Sequence, residues 1–149
     1  MTTEKQHEPF WCPIKVRFGD VDPAGVVYYP SFMDYFHVAL EEFMENGLKL
    51  PYPELIRKDR MGFPTVRVEC NFTRPVRYGD ELAIRVWISR LGGASAVFEF
   101  EARKKGNVCA RATLTKVALD LDKWKPMVMP GHIREALEKF LEPPEAESD

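Results

Sequence analysis

The stretch that decides the fold runs from Val16 to Pro30 and reads Val-Arg-Phe-Gly-Asp-Val-Asp-Pro-Ala-Gly-Val-Val-Tyr-Tyr-Pro. A strand-like segment leads into two carboxylates, Asp20 and Asp22, and a Pro-Ala-Gly turn follows them. Pro30 then opens the longest helical pattern in the chain. The first turn of a helix has unpaired N–H groups and a partial positive charge. The order of these residues therefore predicts a carboxylate close to a helix N-terminus.

This arrangement suits chemistry on a carbonyl group. The carboxylate can act as base or nucleophile, and the helix start can stabilise an oxyanion. The same residues are also typical of an ordinary turn, because Asp and Pro are favoured at turn positions and Asp caps helices. The spacing of the residues leaves both interpretations open.

The run from Phe18 to Pro30 also resembles the signature of the 4-hydroxybenzoyl-CoA thioesterases and their hot-dog-fold relatives. A weaker similarity of pattern continues to about Asp120. The resemblance implies an α+β fold in which a curled antiparallel sheet wraps around a long central helix. It also implies a hydrolase that cleaves acyl-CoA thioesters.

The periodicity of the sequence predicts the same elements. Apolar residues recur at helical spacing between Tyr29 and Asn46. Pro30 suits the first position of this helix, with Tyr29 as the cap; a capping box from Ser31 and Asp34 is the alternative. The apolar face of the helix comprises Phe32, Phe36, Ala39, Leu40 and Phe43, with Met33, Tyr35 and Met44 on its flanks.

Strand patterns dominate the rest of the chain, and short turns join most of them. A tight two-residue loop at Gly92-Gly93 is expected to form one hairpin. Strands joined by short turns form an antiparallel sheet. We therefore expect one domain over residues 1–149, with disordered tails at 1–10 and 142–149. The predicted strands are Cys12–Phe18, Val66–Phe72, Leu82–Ile88, Val97–Lys104 and Val108–Leu121, and a short helix follows Pro130.

Composition excludes several classes of function. The 149 residues carry a net charge of −2, which gives no basic footprint for nucleic acid. No apolar run approaches the ~20 residues of a membrane span. The three histidines show no ligand spacing, so we expect neither a metal nor a cofactor. Three cysteines without a Cys-x-x-Cys pair favour reduced thiols and the cytoplasm.

The resemblance implies catalytic roles for Asp22 and for the backbone N–H of Tyr29, which would polarise the thioester carbonyl. An unperturbed Asp has a pKa of ~3.9 and is a weak base at neutral pH. This favours direct attack by Asp22 to give a mixed anhydride, while activation of water by Asp22 stays open. Asp20 is expected to be structural and to bond the local backbone or an arginine.

Substrate contacts are expected from Pro23, Gly25 and Val27 in the signature. In the 4-hydroxybenzoyl enzyme a helix carboxylate lies near the ring hydroxyl of the substrate, and this chain has His37 at that position. The departure favours another aromatic or a short-chain acyl-CoA as the substrate. His37 is also the residue on which an acyl-thioester dehydratase would depend, and a non-catalytic acyl-CoA-binding protein is a further alternative.

The family's basic tract for the CoA phosphates corresponds here to Gly92-Gly93-Ala94, as in the broad-specificity branch of the superfamily. Arg74, Arg77, Arg90 or Lys104 could supply phosphate contacts instead. The family also pairs its subunits edge to edge into dimers, often further into tetramers, with the active site at the subunit boundary. The resemblance therefore implies a homo-oligomer, either a dimer or a homotetramer.

Overall fold

The structure is a computed structural model that describes residues 8–144. Its main sheet has five antiparallel strands in the order β1-β4-β5-β6-β3. A small second sheet pairs β2, β7 and β8. The strands are β1 Phe10–Lys15, β2 Met61–Gly62, β3 Thr65–Phe72, β4 Glu81–Leu91, β5 Ser95–Lys104, β6 Asn107–Val117, β7 Leu119–Asp120 and β8 Lys125–Pro126; the helices are α1 Tyr29–Glu42, α2 Tyr52–Arg57 and α3 Gly131–Glu138.

Helix α1 packs its apolar face on the main sheet. The buried residues of α1 include Phe32, Phe36, Ala39 and Leu40, as the helical spacing predicts. The ring of Phe36 lies 5.5 Å from that of Phe100 in β5. One long helix covered by an antiparallel sheet confirms the predicted α+β hot-dog fold.

The start of α1 differs from the prediction by one residue. Tyr28 is the N-cap, Tyr29 is the first helical residue and Pro30 is the second. Proline fits there because the second N–H of a helix has no intrahelical partner either. The alternative capping box does not form, since the Ser31 hydroxyl donates to the backbone oxygen of Asp20 at 3.2 Å. After Glu42 the helix continues as a π turn over Phe43–Gly47.

The predicted first strand is too long. The strand β1 ends at Lys15, and Phe18 opens a short 3-10 turn in which its side chain is 77% exposed. The backbone N–H of Arg17 donates to the Asp20 carboxylate at 2.9 Å and so is engaged within this turn. Hydrophobic alternation cannot reveal this side-chain bond.

Two other predicted elements are also wrong in detail. The last strand breaks at Ala118, whose N–H donates to Ala94, and the chain continues in the second sheet. Neither Gly92 nor Gly93 has a positive φ, so that loop is not the expected tight turn. The positive φ angles occur instead at Lys105 (50°) and Gly106 (83°), between β5 and β6.

Parts of both predicted tails are held in the fold. Phe10 opens β1 and its ring lies edge-on to Phe43 at 5.4 Å. The N–H of Glu142 donates to Ile88 at 2.7 Å, and its carboxylate pairs with Arg85. Residues 1–7 and 145–149 of the predicted tails lie outside the described residues.

The strand β3 forms one edge of the main sheet and pairs with β6. Seven of its eight residues are exposed, including Val66 (61%) and Val68 (49%). An edge strand with unpaired N–H and C=O groups is a template for pairing with another chain. Over residues 8–144, no helix is long and apolar enough to cross a membrane.

Candidate active site

The signature forms a closed turn around Asp22. The backbone N–H of Asp22 donates to Val26 at 2.9 Å, and the N–H of Gly25 donates back to the Asp22 carbonyl at 2.8 Å. Gly25 has a φ of 86°, which a residue with a side chain adopts only under strain. The Ala24 N–H donates to Oδ1 of the Asp22 carboxylate at 2.8 Å. One carboxylate oxygen therefore braces the turn, and the Asp22 side chain is half-buried.

Backbone pairing fixes this turn to its surroundings. Val27 pairs with Val21 and Val26 pairs with Arg77, each as an antiparallel bridge. The N–H of Val27 also donates to Val76 at 2.7 Å. The segment that leads into α1 is consequently held between the turn and the chain that follows β3.

Asp20 holds the same segment from the other side. Its Oδ2 accepts hydrogen bonds from the Arg17 N–H at 2.9 Å and from the Tyr35 hydroxyl at 2.8 Å. Its backbone oxygen accepts from the Tyr28 N–H at 2.9 Å and from the Ser31 hydroxyl. Burial, and then the Asp20 carboxylate, raise the pKa of Tyr35. The expectation that Asp20 bonds the local backbone is confirmed.

The backbone N–H of Tyr29 is the first of α1, and it donates to no acceptor within residues 8–144. The N-cap Tyr28 offers no side-chain hydrogen bond to the helix start. A free N–H at the positive end of a helix dipole is ready to bind an oxygen that carries negative charge.

A cleft of about 300 Å³ opens at this helix start. Tyr29 and Arg74 contribute polar groups to its wall, and most of the remaining wall is aliphatic or aromatic. The apolar wall includes Val26, Val27, Phe32, Phe72 and Val76. An apolar cleft with a few convergent polar groups is the usual form of a small-molecule site.

Three of the predicted site residues, Val27, Tyr29 and Arg74, line this cleft together. The turn that contains Asp22, Pro23 and Gly25 immediately precedes Val26, which is part of the cleft wall, but these three residues do not line the cleft themselves. Their roles at the site were predicted from the resemblance of the signature, and these roles stay a prediction.

The other three predicted contacts lie apart from the cleft wall of this single chain. His37 is on the exposed face of α1, and its Nε2 lies 2.7 Å from the Glu41 carboxylate. Arg77 is exposed and pairs through its backbone with Val26. Arg90 is exposed near the end of β4.

The sequence analysis missed the wall formed by Phe72, Thr73 and Val76. Alternation in β3 predicts that Phe72 lies on the apolar face of the strand. No local pattern shows that the loop after β3 forms hydrogen bonds with the signature. The hydrogen bond from Val27 to Val76 links residues 49 positions apart. Only the folded chain brings them together.

A model of the thioesterase-like superfamily matches residues 16–137, which include the turn, the helix and the cleft. The chain belongs to this superfamily. The narrower assignment to the 4-hydroxybenzoyl-CoA thioesterases, made from the signature, is not confirmed.

Similar proteins are named as enzymes that hydrolyse CoA thioesters. An acyl-CoA thioesterase of Haemophilus influenzae is 24% identical over 85% of this chain and 93% of the relative. A 1,4-dihydroxy-2-naphthoyl-CoA hydrolase of a Synechococcus species is 30% identical over 83% of this chain and 85% of the relative. The solved structure of a gentisyl-coenzyme A thioesterase is 31% identical, with a TM-score of 0.78, over 86% of this chain and 99% of that one. The prediction that this chain is a thioester hydrolase is confirmed.

Proposed function

We propose that the protein hydrolyses an aromatic or short-chain acyl-CoA to the free acid and CoA, in a single hot-dog domain that needs no metal or other cofactor. The observation that carries this proposal is the apolar cleft at the start of α1, into which the unpaired N–H of Tyr29 can donate. An acyl group fits the apolar wall, and the thioester carbonyl oxygen fits the N–H.

Tyr29 supplies the electrophilic side of the reaction. As the carbonyl carbon becomes tetrahedral, its oxygen gains negative charge, and the N–H at the helix start stabilises it. Removal of one such donor has cost about 2.7–4 kcal/mol in an acyl-transfer enzyme. A backbone donor cannot be deleted through its side chain, so replacing the Tyr29 side chain tests packing and not this bond.

Asp22 supplies the attacking side. Its Oδ1 accepts from Ala24, while its Oδ2 accepts no hydrogen bond from residues 8–144 and is available for chemistry. In the favoured route Oδ2 attacks the carbonyl carbon, the CoA thiolate leaves and takes a proton from water, and a mixed anhydride forms. A water molecule then opens the anhydride to the acid and restores the carboxylate. In the second route Asp22 removes a proton from the water that attacks.

The size of the cleft favours a compact acyl group, and the names of the relatives favour an aromatic one. A cavity of about 300 Å³ is at the small end for ligand pockets, so it suits a ring or a short chain better than a long one. The names of the 1,4-dihydroxy-2-naphthoyl-CoA and gentisyl-coenzyme A enzymes both specify aromatic acyl groups.

We also infer a homo-oligomer built through β3. Phe72 belongs to this edge strand and lines the cleft at the same time. A second copy paired along β3 would cover Val66 and Val68 and lie beside the cleft. Light scattering should therefore give a mass of at least twice the 17.2 kDa of one chain. A stable monomer with full activity would contradict this assembly.

The free thiols of Cys12, Cys70 and Cys109 favour the reducing cytoplasm as the compartment of the protein.

The decisive experiment is a panel of aromatic, short-chain and long-chain acyl-CoA substrates, with release of the thiol followed by a thiol reagent. We expect the highest kcat/KM for an aromatic acyl-CoA and the lowest for a long chain. The matched control is Asp22→Asn, which keeps the size of the side chain and removes its charge. An absence of hydrolysis across the panel would overturn the proposed function.

A further inference from the structure

A second cavity of about 280 Å³ adjoins the cleft. Arg74 and Pro75 line both cavities, so the two lie side by side along this part of the chain. The rest of the second cavity's wall comes from the turn between β5 and β6, chiefly Lys104, Lys105 and Asn107.

The second cavity is basic. Arg74, Lys104 and Lys105 line it, and no acidic residue does. Lys104 is paired with Asp80 at 2.8 Å, whereas Arg74 and Lys105 form no ion pair within residues 8–144. Two cations without a partner beside one cavity favour an anionic ligand.

Main-chain contacts fix the backbone positions from which these cationic side chains extend. The N–H groups of Thr73 and Arg74 both donate to the carbonyl of Cys109 in β6, at 2.8 and 3.3 Å. Lys105 and Gly106 form the tight turn that enters the same strand. Burial raises the pKa of the Cys109 thiol, so this group adds no negative charge at neutral pH.

In the family's pattern, the basic tract for the CoA phosphates corresponds to Gly92-Gly93-Ala94, and here that loop is bonded to the C-terminal part of the chain. The Arg134 side chain donates to the carbonyl of Gly92, and the Met129 N–H donates to Gly93 at 3.0 Å. The Ala118 N–H donates to the carbonyl of Ala94. Residues 92–94 carry no cationic side chain of their own, and the one guanidinium bonded to them within residues 8–144, that of Arg134, is engaged with the Gly92 carbonyl.

We propose that the second cavity binds the phosphate groups of the CoA nucleotide, with Arg74 and Lys105 as the contacting cations. The proposal rests on the acyl-CoA thioesterase function given above. It assigns the acyl group to the cleft at α1 and the nucleotide end of CoA to the turn between β5 and β6. It follows that the handle of the substrate is CoA itself and that a thioester without phosphates loses this contact.

Lys105→Glu is the discriminating variant, because Lys105 lines the second cavity and not the cleft. We expect it to raise KM for the best acyl-CoA about tenfold or more, the effect of losing one charge-assisted contact, with kcat nearly unchanged. The same acyl group on N-acetylcysteamine has no phosphate, so its kcat/KM should not change. Lys49→Glu is the matched control, since Lys49 is also an exposed lysine with a positive φ of 60°.

The outcomes separate this proposal from the function on which it rests. If Lys105→Glu leaves KM for acyl-CoA unchanged, or lowers kcat/KM equally for both thioesters, the phosphate site is wrong while the hydrolase stands. If the wild-type protein hydrolyses neither thioester, the function fails. Calorimetric titration with free CoA then decides the site, because weaker binding to Lys105→Glu than to Lys49→Glu supports it and equal binding overturns it.

A third substrate identifies the phosphate. The thioester of dephospho-CoA lacks the 3′-phosphate and retains the diphosphate. If wild type and Lys105→Glu have equal KM for it, Lys105 contacts the 3′-phosphate. If Lys105→Glu is still weaker, Lys105 contacts the diphosphate.

Discussion

Asp20 and Asp22 stand two residues apart in the same signature, yet the fold treats them differently. Oδ2 of Asp20 accepts two hydrogen bonds, one from the Arg17 backbone and one from the buried hydroxyl of Tyr35. Asp22 accepts one, from the Ala24 N–H, and uses only Oδ1. Both carboxylates are half-buried, so burial does not distinguish them, and hydrogen bonding does.

In the proposed mechanism, this difference gives one aspartate of the motif a bracing role and the other a reactive role. A carboxylate oxygen with two donors is fixed in place and has its lone pairs engaged, which suits it to hold the start of α1. Each carboxylate leaves one oxygen without a donor among residues 8–144, Oδ1 in Asp20 and Oδ2 in Asp22. Asp20 is bonded to Tyr35 of α1, whereas Asp22 is bonded only within its own turn, which suits Asp22 to approach a substrate carbon. In the proposed mechanism, the side chain of Asp20 positions the helix whose first N–H polarises the carbonyl that Asp22 attacks.

The largest expected effect comes from Asp22→Asn. The amide keeps an oxygen for the Ala24 N–H, so the turn and the free energy of unfolding should change little. It removes the charge, and hence both the nucleophile and the base. We expect turnover to fall by at least ~10³-fold, about 4 kcal/mol in barrier, measured as kcat on the best acyl-CoA. Near-normal turnover by this variant would leave the signature as an ordinary turn.

The two routes for Asp22 can be separated by a single turnover in ¹⁸O-labelled water. Attack by the carboxylate, followed by opening of the anhydride at the Asp22 carbonyl, leaves a solvent oxygen in Asp22 and passes an enzyme oxygen to the product acid. Attack by water does neither. Mass spectrometry of the acid and of the peptide that contains Asp22 reads out the result, and we expect the label pattern of carboxylate attack.

A smaller effect is expected from the brace, and it should appear mainly in stability. Asp20→Asn exchanges an acceptor of two hydrogen bonds for an amide, at a cost of about 0.5–2 kcal/mol in the free energy of unfolding. Tyr35→Phe removes one donor at a cost of about 1 kcal/mol. Because the two groups share one bond, the double variant should lose less than the sum of the single losses.

Denaturant unfolding of the four proteins measures this coupling, and kcat on the folded fraction is its control. Both single variants should keep most of their turnover. Strictly additive losses would show that Tyr35 and Asp20 do not act as one unit. A loss of turnover in Asp20→Asn as large as that in Asp22→Asn would reverse the roles given to the two aspartates.

The sequence predicted this part of the molecule unevenly. Helical spacing identified the buried face of α1, and alternation identified the buried residues of β4, because these patterns follow from local geometry. The hydrogen bond from Tyr35 to Asp20 joins residues 15 apart, and the cleft joins the signature to the loop after β3. Contacts of this kind depend on how distant segments pack together, so periodicity contains no signal for them. The resemblance gave Asp22 and Tyr29, and only the structure distinguishes the bonding of the two aspartates.

The smallest effect is expected at His37, which tests whether a residue outside the single-chain cleft still shapes the acyl site. Its imidazole is exposed and paired with Glu41 in the next turn of α1, so it reaches a substrate only if the subunits assemble around this face. We expect His37→Asn to change the relative kcat/KM among acyl groups by roughly two- to fivefold, below ~1 kcal/mol in barrier. Substantial turnover on the best substrate should persist. Glu41→Gln is the control, because it removes the carboxylate that contacts His37 and leaves the imidazole. If both variants shift the preference equally, the effect comes from the pair and not from contact with the acyl group. If His37→Asn abolishes turnover on every thioester in a folded protein, His37 is the base and the division of labour between Asp20 and Asp22 is wrong.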